Sequence, residues 1–228
     1  MILIAHRGDP RHAPENTLAS FRAAAARGAR AVEMDVRRRA DGSWVVFHDP
    51  IPARMKDEPI LEVSDALAFC RSKRLEVYLD VKEARAESSL SQILRESGWL
   101  RRTHVLAGRP SSLRRWRRLI PGRPLFWVTG FRSSVTSRAI SQASRLGVTG
   151  FVSYQGRVTA TTVERTHRAG LKLYVWTVRT AADLKRFTRL QVDGILSEVW
   201  PHPLPCPPKA DGPSGRSRRR NRTRRMAG

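Results

Sequence analysis

Glu33 and Asp35 stand two residues apart in the run Val32-Glu33-Met34-Asp35-Val36. A β-strand alternates its side chains with period 2, so both acids leave one face. Six residues after Asp35 comes Asp41-Gly42, a dipeptide that marks a tight hairpin, and six residues beyond Gly42 stands His48. A two-residue turn there sets His48 roughly opposite Asp35. Asp80 and Lys82 repeat the two-residue spacing in Glu76-Val77-Tyr78-Leu79-Asp80-Val81-Lys82, and His6-Arg7 closes the apolar run Ile2-Leu3-Ile4-Ala5. Trp176 sits within Tyr174-Val175-Trp176-Thr177-Val178.

Each of these has an ordinary structural reading when taken singly. His6 is then a satisfied histidine, Glu33 with Asp35 a solvated strand face, Asp80 with Lys82 an ion pair, and Trp176 a plug. Brought to one place they read as a metal-assisted acid/base site. Buried carboxylates facing one another repel unless a cation neutralises them. Three carboxylates without cysteine favour a hard divalent ion, Mg2+ or Ca2+, over zinc. The imidazoles of His6 and His48 are then free for proton transfer, one as a general base and the other as a general acid. Arg7, Lys82 and the metal would stabilise charge on phosphoryl oxygens, and Trp176 would stack against the substrate.

The elements that must position these groups alternate along the chain. Strand patterns at 2–6, 31–36, 76–82, 104–107, 124–129, 150–154, 172–178 and 194–197 are separated by helical patterns at about 16–27, 63–71, 89–96, 112–119, 135–146, 161–169 and 181–189. Asn16 or Thr17 is the expected N-cap of the first helix. Eight strands in such alternation predict a compact (β/α)8 TIM barrel with a β-hairpin after strand 2. An open doubly wound sheet is the second choice, and it lacks the expected Gly-rich phosphate turn. In a barrel the functional groups lie at the C-terminal strand ends, where His6, Arg7, Glu33, Asp35, Asp80, Lys82 and Trp176 fall. A full eighth helix is missing, since Pro-His-Pro-Leu-Pro-Cys-Pro-Pro follows Trp200. Residues 1–200 are expected to form the barrel domain, and residues 201–228 a disordered tail, Pro-rich and then Arg-rich.

The 228 residues suffice to bury a core without disulfides or structural metal. The two cysteines, Cys70 and Cys206, are far apart and make a disulfide framework improbable. The N-terminus lacks a signal-peptide pattern and no apolar run approaches the ~20 residues of a membrane span, so a cytoplasmic protein is expected. The net charge is +23. Arg216, Arg218, Arg219, Arg220, Arg222, Arg224 and Arg225 carry seven of those charges and leave +16 for the remainder. Such a field attracts anions of any kind. The tail could meet an anionic membrane surface or bind nucleic acid non-specifically, or it could be a solvated extension. No feature calls for an obligate protein partner.

His6-Arg7-Gly8, Pro14-Glu15-Asn16-Thr17, Glu33-Met34-Asp35-Val36, Asp41-Gly42 and Val45-Val46-Phe47-His48-Asp49 occur in this order, followed by Tyr174-Val175-Trp176-Thr177-Val178 and Val192-Asp193-Gly194-Ile195-Leu196. Together they resemble the glycerophosphodiester phosphodiesterase family, over nearly the whole stretch from Ile2 to Pro201. The resemblance implies a TIM barrel that hydrolyses a small-molecule glycerophosphodiester to glycerol 3-phosphate and an alcohol. It implies His6 as base, His48 as acid, and Glu33, Asp35 and Asp80 on a divalent cation, Mg2+ or Ca2+. Against the family pattern, Asp80 replaces a glutamate, as in the related sphingomyelinase D/phospholipase D group. The cap is reduced to about residues 51–64, Arg179 replaces an asparagine, and Ser197-Glu198 replaces a Thr-Asp pair. These departures point to altered substrate preference and leave a lysophospholipase D or sphingomyelinase D-like activity as the alternative. The alternative of another class is a non-catalytic basic barrel that binds nucleic acid or acts as a scaffold.

Overall fold

A computed structural model describes residues 1–52, 55 and 59–200. The elements follow in the order β1 (Ile2–His6), α1 (Leu18–Ala26), β2 (Ala31–Arg38), β3 (Trp44–Val46), α2 (Val63–Ser72), β4 (Glu76–Val81), α3 (Glu87–Glu96), β5 (Thr103–Ala107), α4 (Pro110–Leu119), β6 (Leu125–Val128), α5 (Ser137–Leu146), β7 (Gly150–Tyr154), α6 (Ala160–Arg168), β8 (Lys172–Val178), α7 (Ala181–Arg189) and β9 (Gly194–Ser197). Eight of the strands run parallel. β1 pairs with both β2 and β9, which closes the sheet into a (β/α)8 barrel, while β3 folds back antiparallel on β2.

Period-2 alternation divides each barrel strand between two environments. Ile4, Ala31, Tyr78, Leu106, Phe126, Val152, Tyr174 and Leu196 fill the barrel interior. The alternate positions, among them Ala5, Val32, Met34, Leu79 and Val105, pack under the helices. Tyr174 fits the interior because its neighbour Gly194 has no side chain; a Cβ there would lie 2.7 Å from the Tyr174 ring. Continuing the inward parity toward the C-terminal strand ends leads from Ile4 to His6, from Ala31 to Glu33 and Asp35, from Tyr78 to Asp80, and from Tyr174 to Trp176. The alternation that fills the core therefore also aims the polar groups.

Helix starts follow local chemistry. Thr17, Thr136, Thr159 and Thr180 each accept a hydrogen bond from the backbone N–H three residues on, at the N-caps of α1, α5, α6 and α7. Of the two expected caps of α1, Thr17 takes the role. Asn16 is held at φ +58 and turned elsewhere.

The hairpin differs from the expected two-residue turn. Val36 pairs with Val46, Arg37 with Val45 and Arg38 with Trp44, and the Arg39 N–H donates to the Ser43 carbonyl at 2.8 Å. The loop thus spans three residues, with Gly42 at φ +94. Asp41 stabilises it by accepting hydrogen bonds from the Ser43 N–H and hydroxyl, both at 2.8 Å. The extra loop residue shifts the register by one, so Phe47 faces Asp35 and donates its N–H to the Asp35 carbonyl at 2.9 Å. His48 lies past the ladder, anchored where its carbonyl accepts from Arg37 Nε at 2.8 Å.

Part of the reduced cap and all of the expected tail, residues 53–54, 56–58 and 201–228, lie outside the described residues. The chain returns to the hairpin at Leu61, whose carbonyl accepts from the Val46 N–H at 2.8 Å. Among the described residues no helix follows β9, and none is long and apolar enough to cross a membrane.

Candidate active site

A cavity of about 490 Å³ opens at the C-terminal end of the barrel. All eight residues expected from the sequence line it: His6, Arg7, Glu33, Asp35, His48, Asp80, Lys82 and Trp176.

The first strand delivers two of them through a strained turn. Arg7 has φ +55 and Gly8 φ +86. A Cβ on Gly8 would sit 2.2 Å from the Ser20 hydroxyl, so glycine is needed against the start of α1. The turn directs the Arg7 N–H to Glu33 Oε2 at 3.1 Å. Its guanidinium then reaches Glu15 at 2.7 Å and Asp35 Oδ2 at 2.9 Å.

Asp35 is the most heavily coordinated acid. Asn16 donates from Nδ2 to Asp35 Oδ2 at 2.9 Å, and Asn16 Oδ1 accepts the Asp35 N–H at 3.3 Å. Lys82 Nζ bridges Asp35 Oδ1 at 2.7 Å and Asp80 Oδ2 at 2.5 Å. Burial alone would push the Asp35 carboxyl up. Lys82, Arg7 and the hydrogen bonds from Lys82 and Asn16 outweigh it and hold Asp35 below the usual carboxylate range. Glu33 behaves oppositely: burial and the charges of Asp35 and Asp80 raise it well above its ordinary value, against the pull of Lys82 and Arg7. Asp80 is raised by burial, with Asp35 adding to it against the opposing pull of Lys82.

Glu33, Asp35 and Asp80 each place a carboxylate oxygen within 4.8 Å of the others. The set fits a hard divalent cation on two counts. Lys82 and Arg7, the latter shared with Glu15, do not balance all three carboxylates, which leaves negative charge in a desolvated place. Each carboxylate has about four lone-pair sites, so lone pairs remain on all three after the hydrogen bonds described. All the donors are oxygens, the chemistry of Mg2+ or Ca2+ sites.

The two histidines differ in setting. His6 is 5% exposed, with Nε2 4.0 Å from Glu33 Oε2 and Nδ1 3.3 Å from Glu198 Oε1. Burial lowers its pKa, and the Glu198 hydrogen bond only partly opposes this. His48 is more open, its side chain 41% exposed, and pairs through Nδ1 with Asp49 Oδ1 at 2.8 Å. Trp176 is half-buried and packs edge-on against Phe131 and Tyr154.

Three participants escape a reading of the sequence by motif. Asn16 looks like a helix cap and instead holds Asp35. Glu198, which the sequence marks only as a departure from the family pattern, bonds to His6. Arg179 Nε in turn binds both Glu198 oxygens, at 3.1 and 3.0 Å. A signal for Glu198 exists, because it continues the inward parity of Leu196.

The glycerophosphoryl diester phosphodiesterase family model matches residues 6–65 and 70–199. Among curated relatives, the glycerophosphodiester phosphodiesterase of Caldanaerobacter subterraneus subsp. tengcongensis is 25% identical, over 86% of this chain and 93% of that protein. Glycerophosphodiester phosphodiesterase 1 of Homo sapiens is 33% identical over 35% of this chain and 33% of its own length. Among solved structures, an Oleispira antarctica phosphodiesterase in complex with the product sn-glycerol-3-phosphate aligns with TM-score 0.77 at 21% identity, covering 87% of this chain and 93% of that one. The glycerophosphodiester phosphodiesterase of Thermotoga maritima aligns with TM-score 0.68 at 18% identity, covering 87% and 94%. These structural likenesses bear on the fold.

Proposed function

This chain belongs to the glycerophosphoryl diester phosphodiesterase family, and we propose that it hydrolyses glycerophosphodiesters to glycerol 3-phosphate and an alcohol at the mouth of its barrel. The observation that carries the reading is the convergence of two histidines and three acids, from β1, β2, β4 and the hairpin, on one cavity. The non-catalytic alternative gives no reason for that convergence.

Glu33, Asp35 and Asp80 would hold a divalent cation, Mg2+ or Ca2+. When bound, it would supply Lewis-acid stabilisation of phosphoryl charge. Arg7 and Lys82 add positive charge on the same side of the cavity. Glu198, as a carboxylate, can only accept, so His6 carries its proton on Nδ1 and presents the Nε2 lone pair to the cavity. With burial keeping it neutral, His6 removes a proton from the attacking water as its oxygen bonds to phosphorus and the bond to the leaving alcohol breaks. His48, hydrogen-bonded to Asp49, gives a proton to the departing alkoxide. Trp176 supports the alcohol portion of the substrate. The reducing cytoplasm fits a chain whose described cysteine, Cys70, is a free buried thiol.

One observation favours a second reading, a lysophospholipase D or sphingomyelinase D-like preference for lipid diesters. Across the barrel from the acids, the cavity lining includes the apolar side chains of Leu106, Val128, Phe131, Val152 and Trp176, beside Arg109 and Arg179, which suits an alcohol bulkier than choline.

Release of glycerol 3-phosphate from glycerophosphocholine tests the first reading, with lysophosphatidylcholine in parallel for the second. His6→Ala and His48→Ala should each lower the rate by ~10²–10⁴-fold, the span of general acid–base contributions. Undiminished hydrolysis by both variants would overturn the assignment.

A further inference from the structure

The barrel mouth has two unlike halves. β1, β2, β4 and the hairpin supply the acids and histidines. The loop after β6, the end of β7 and the C-terminal half of β8 supply a ridge of three rings, Phe131, Tyr154 and Trp176, with centroids 4.7 to 5.8 Å apart and planes at 61–64°. Tyr154 and Trp176 are half-buried. Phe131, at the tip, is 60% exposed, and besides Met1 it is the exposed large hydrophobic side chain among the described residues. This protrusion lies at the lip of the catalytic cavity.

Arginines surround the tip. Arg132 follows Phe131 and is exposed. Arg157 Nε donates to the Phe131 carbonyl at 3.1 Å. Arg109 lines the cavity beside it, as does Arg179, whose charge is paired with Glu198, and Arg11 Nη2 donates to the Arg179 carbonyl at 2.5 Å. The nearby acids are already engaged: Glu198 by Arg179 and His6, Glu15 by Arg7, Glu83 by Arg37, and Asp49 by His48. An apolar tip within a cationic collar complements an anionic lipid surface. The ring can enter the acyl boundary while the guanidinium groups reach headgroup phosphates.

We propose that the Phe131 side of the barrel mouth docks on an anionic phospholipid bilayer, which turns the catalytic cavity toward the lipid. Single-stranded nucleic acid could also use arginines and a stacking ring. The bilayer is favoured because the ridge is continuous with the apolar cavity residues Val128 and Val152, a surface suited to hydrocarbon. This docking is independent of the Arg-rich tail and of which diester is cleaved.

The test is co-sedimentation of the full chain with phosphatidylcholine vesicles, with and without phosphatidylglycerol. Wild type should partition onto the anionic vesicles. Arg132→Glu should weaken this by about fivefold or more, the ratio expected for one basic residue near the surface, and Phe131→Ser should weaken it further than a neutral exposed change would. The tail is the same in all variants and cancels. A third variant, Phe131→Trp, should be quenched by brominated lipid more than the wild-type background. Wild-type-like partitioning by both loop variants, with no added quenching, would overturn the proposal. So would the same substitutions weakening binding of a single-stranded RNA oligonucleotide while vesicle partitioning stays unchanged.

Discussion

The Glu198 carboxylate accepts a hydrogen bond from His6 Nδ1 at 3.3 Å, across 192 residues of sequence. Arg179 Nε donates to both oxygens of the same carboxylate. Burial would push the Glu198 carboxyl up, but His6 and Arg179 outweigh it and keep it below the usual range. Glu198 is therefore an ionised positioning residue that fixes the tautomer and the ring plane of the proposed base.

This relationship sets a pH dependence. His6 must be neutral to accept a proton, and burial has lowered its pKa beneath the 6.5 of an ordinary histidine. Activity should thus persist as pH falls through 6.5, and the acid limb of kcat/KM should lie below it. Glu198 raises the His6 pKa, so Glu198→Gln should move the limb to still lower pH. It should also reduce kcat by roughly tenfold or more, as outer-shell partners of active-site groups typically do. A wild-type limb at or above 6.5, or one unmoved by the substitution, contradicts the role.

Glu33 yields a stability prediction with a sign opposite to that of a salt-bridged acid. Its folded pKa lies above its unfolded value because of burial and the charges of Asp35 and Asp80. Between those two values the folded state binds the extra proton, so metal-free stability declines as pH rises through the window. Glu33→Gln should therefore stabilise the metal-free protein at neutral pH, by about 1–4 kcal/mol. Wild type should in turn gain about 2.7 kcal/mol from a cation at 100 times its Kd, and the variant should lose most of that gain. Thermal unfolding in EDTA, MgCl2 and CaCl2 measures both effects.

The Asn16 side chain holds Asp35 at two points, donating from Nδ2 to Asp35 Oδ2 and accepting the Asp35 backbone N–H at Oδ1. Asn16→Ala removes both bonds from a buried site and places a Cβ-bearing residue at φ +58 without the local hydrogen bonds that suit asparagine there. A loss of about 1–3 kcal/mol is expected. Asn16→Gly relieves the backbone but not the lost bonds, so urea unfolding should place it between the wild type and the alanine variant.

Cys70 is fully buried and burial pushes its thiol up to about 12. Thiolate is the reactive form. In a Cys206→Ser background the native protein should resist a thiol-specific disulfide reagent, and the urea-unfolded chain should react fully. Rapid labelling of the native chain would contradict the packing around α2.

Much of the fold was legible because the alternation of strand and helix patterns is local, and period 2 fixes which face each acid leaves. Glu33, Asp35, Asp80 and Trp176 could be placed on that basis alone. The hairpin was legible in kind but not in register: Asp41 bonding to Ser43 selects a three-residue loop, a choice made by side-chain geometry that the dipeptide Asp41-Gly42 does not specify. The sequence offers Asn16 or Thr17 as the cap of α1 without choosing, because a polar residue before a helix serves equally as a cap or as a tertiary ligand, and only the fold decides. Glu198 and Arg179 find their roles through contacts spanning almost the whole chain. Lys82, read as a phosphate ligand, bridges Asp35 and Asp80, a contact that depends on the pairing of β2 with β4.

The most direct test of the central claim is hydrolysis of glycerophosphocholine by chelator-stripped protein, followed by re-addition of Mg2+ or Ca2+, for wild type and Glu33→Gln side by side. Wild type should fall silent on stripping and recover glycerol 3-phosphate release on re-addition, while Glu33→Gln stays impaired. Undiminished release by the stripped wild type would contradict a cation held by Glu33, Asp35 and Asp80.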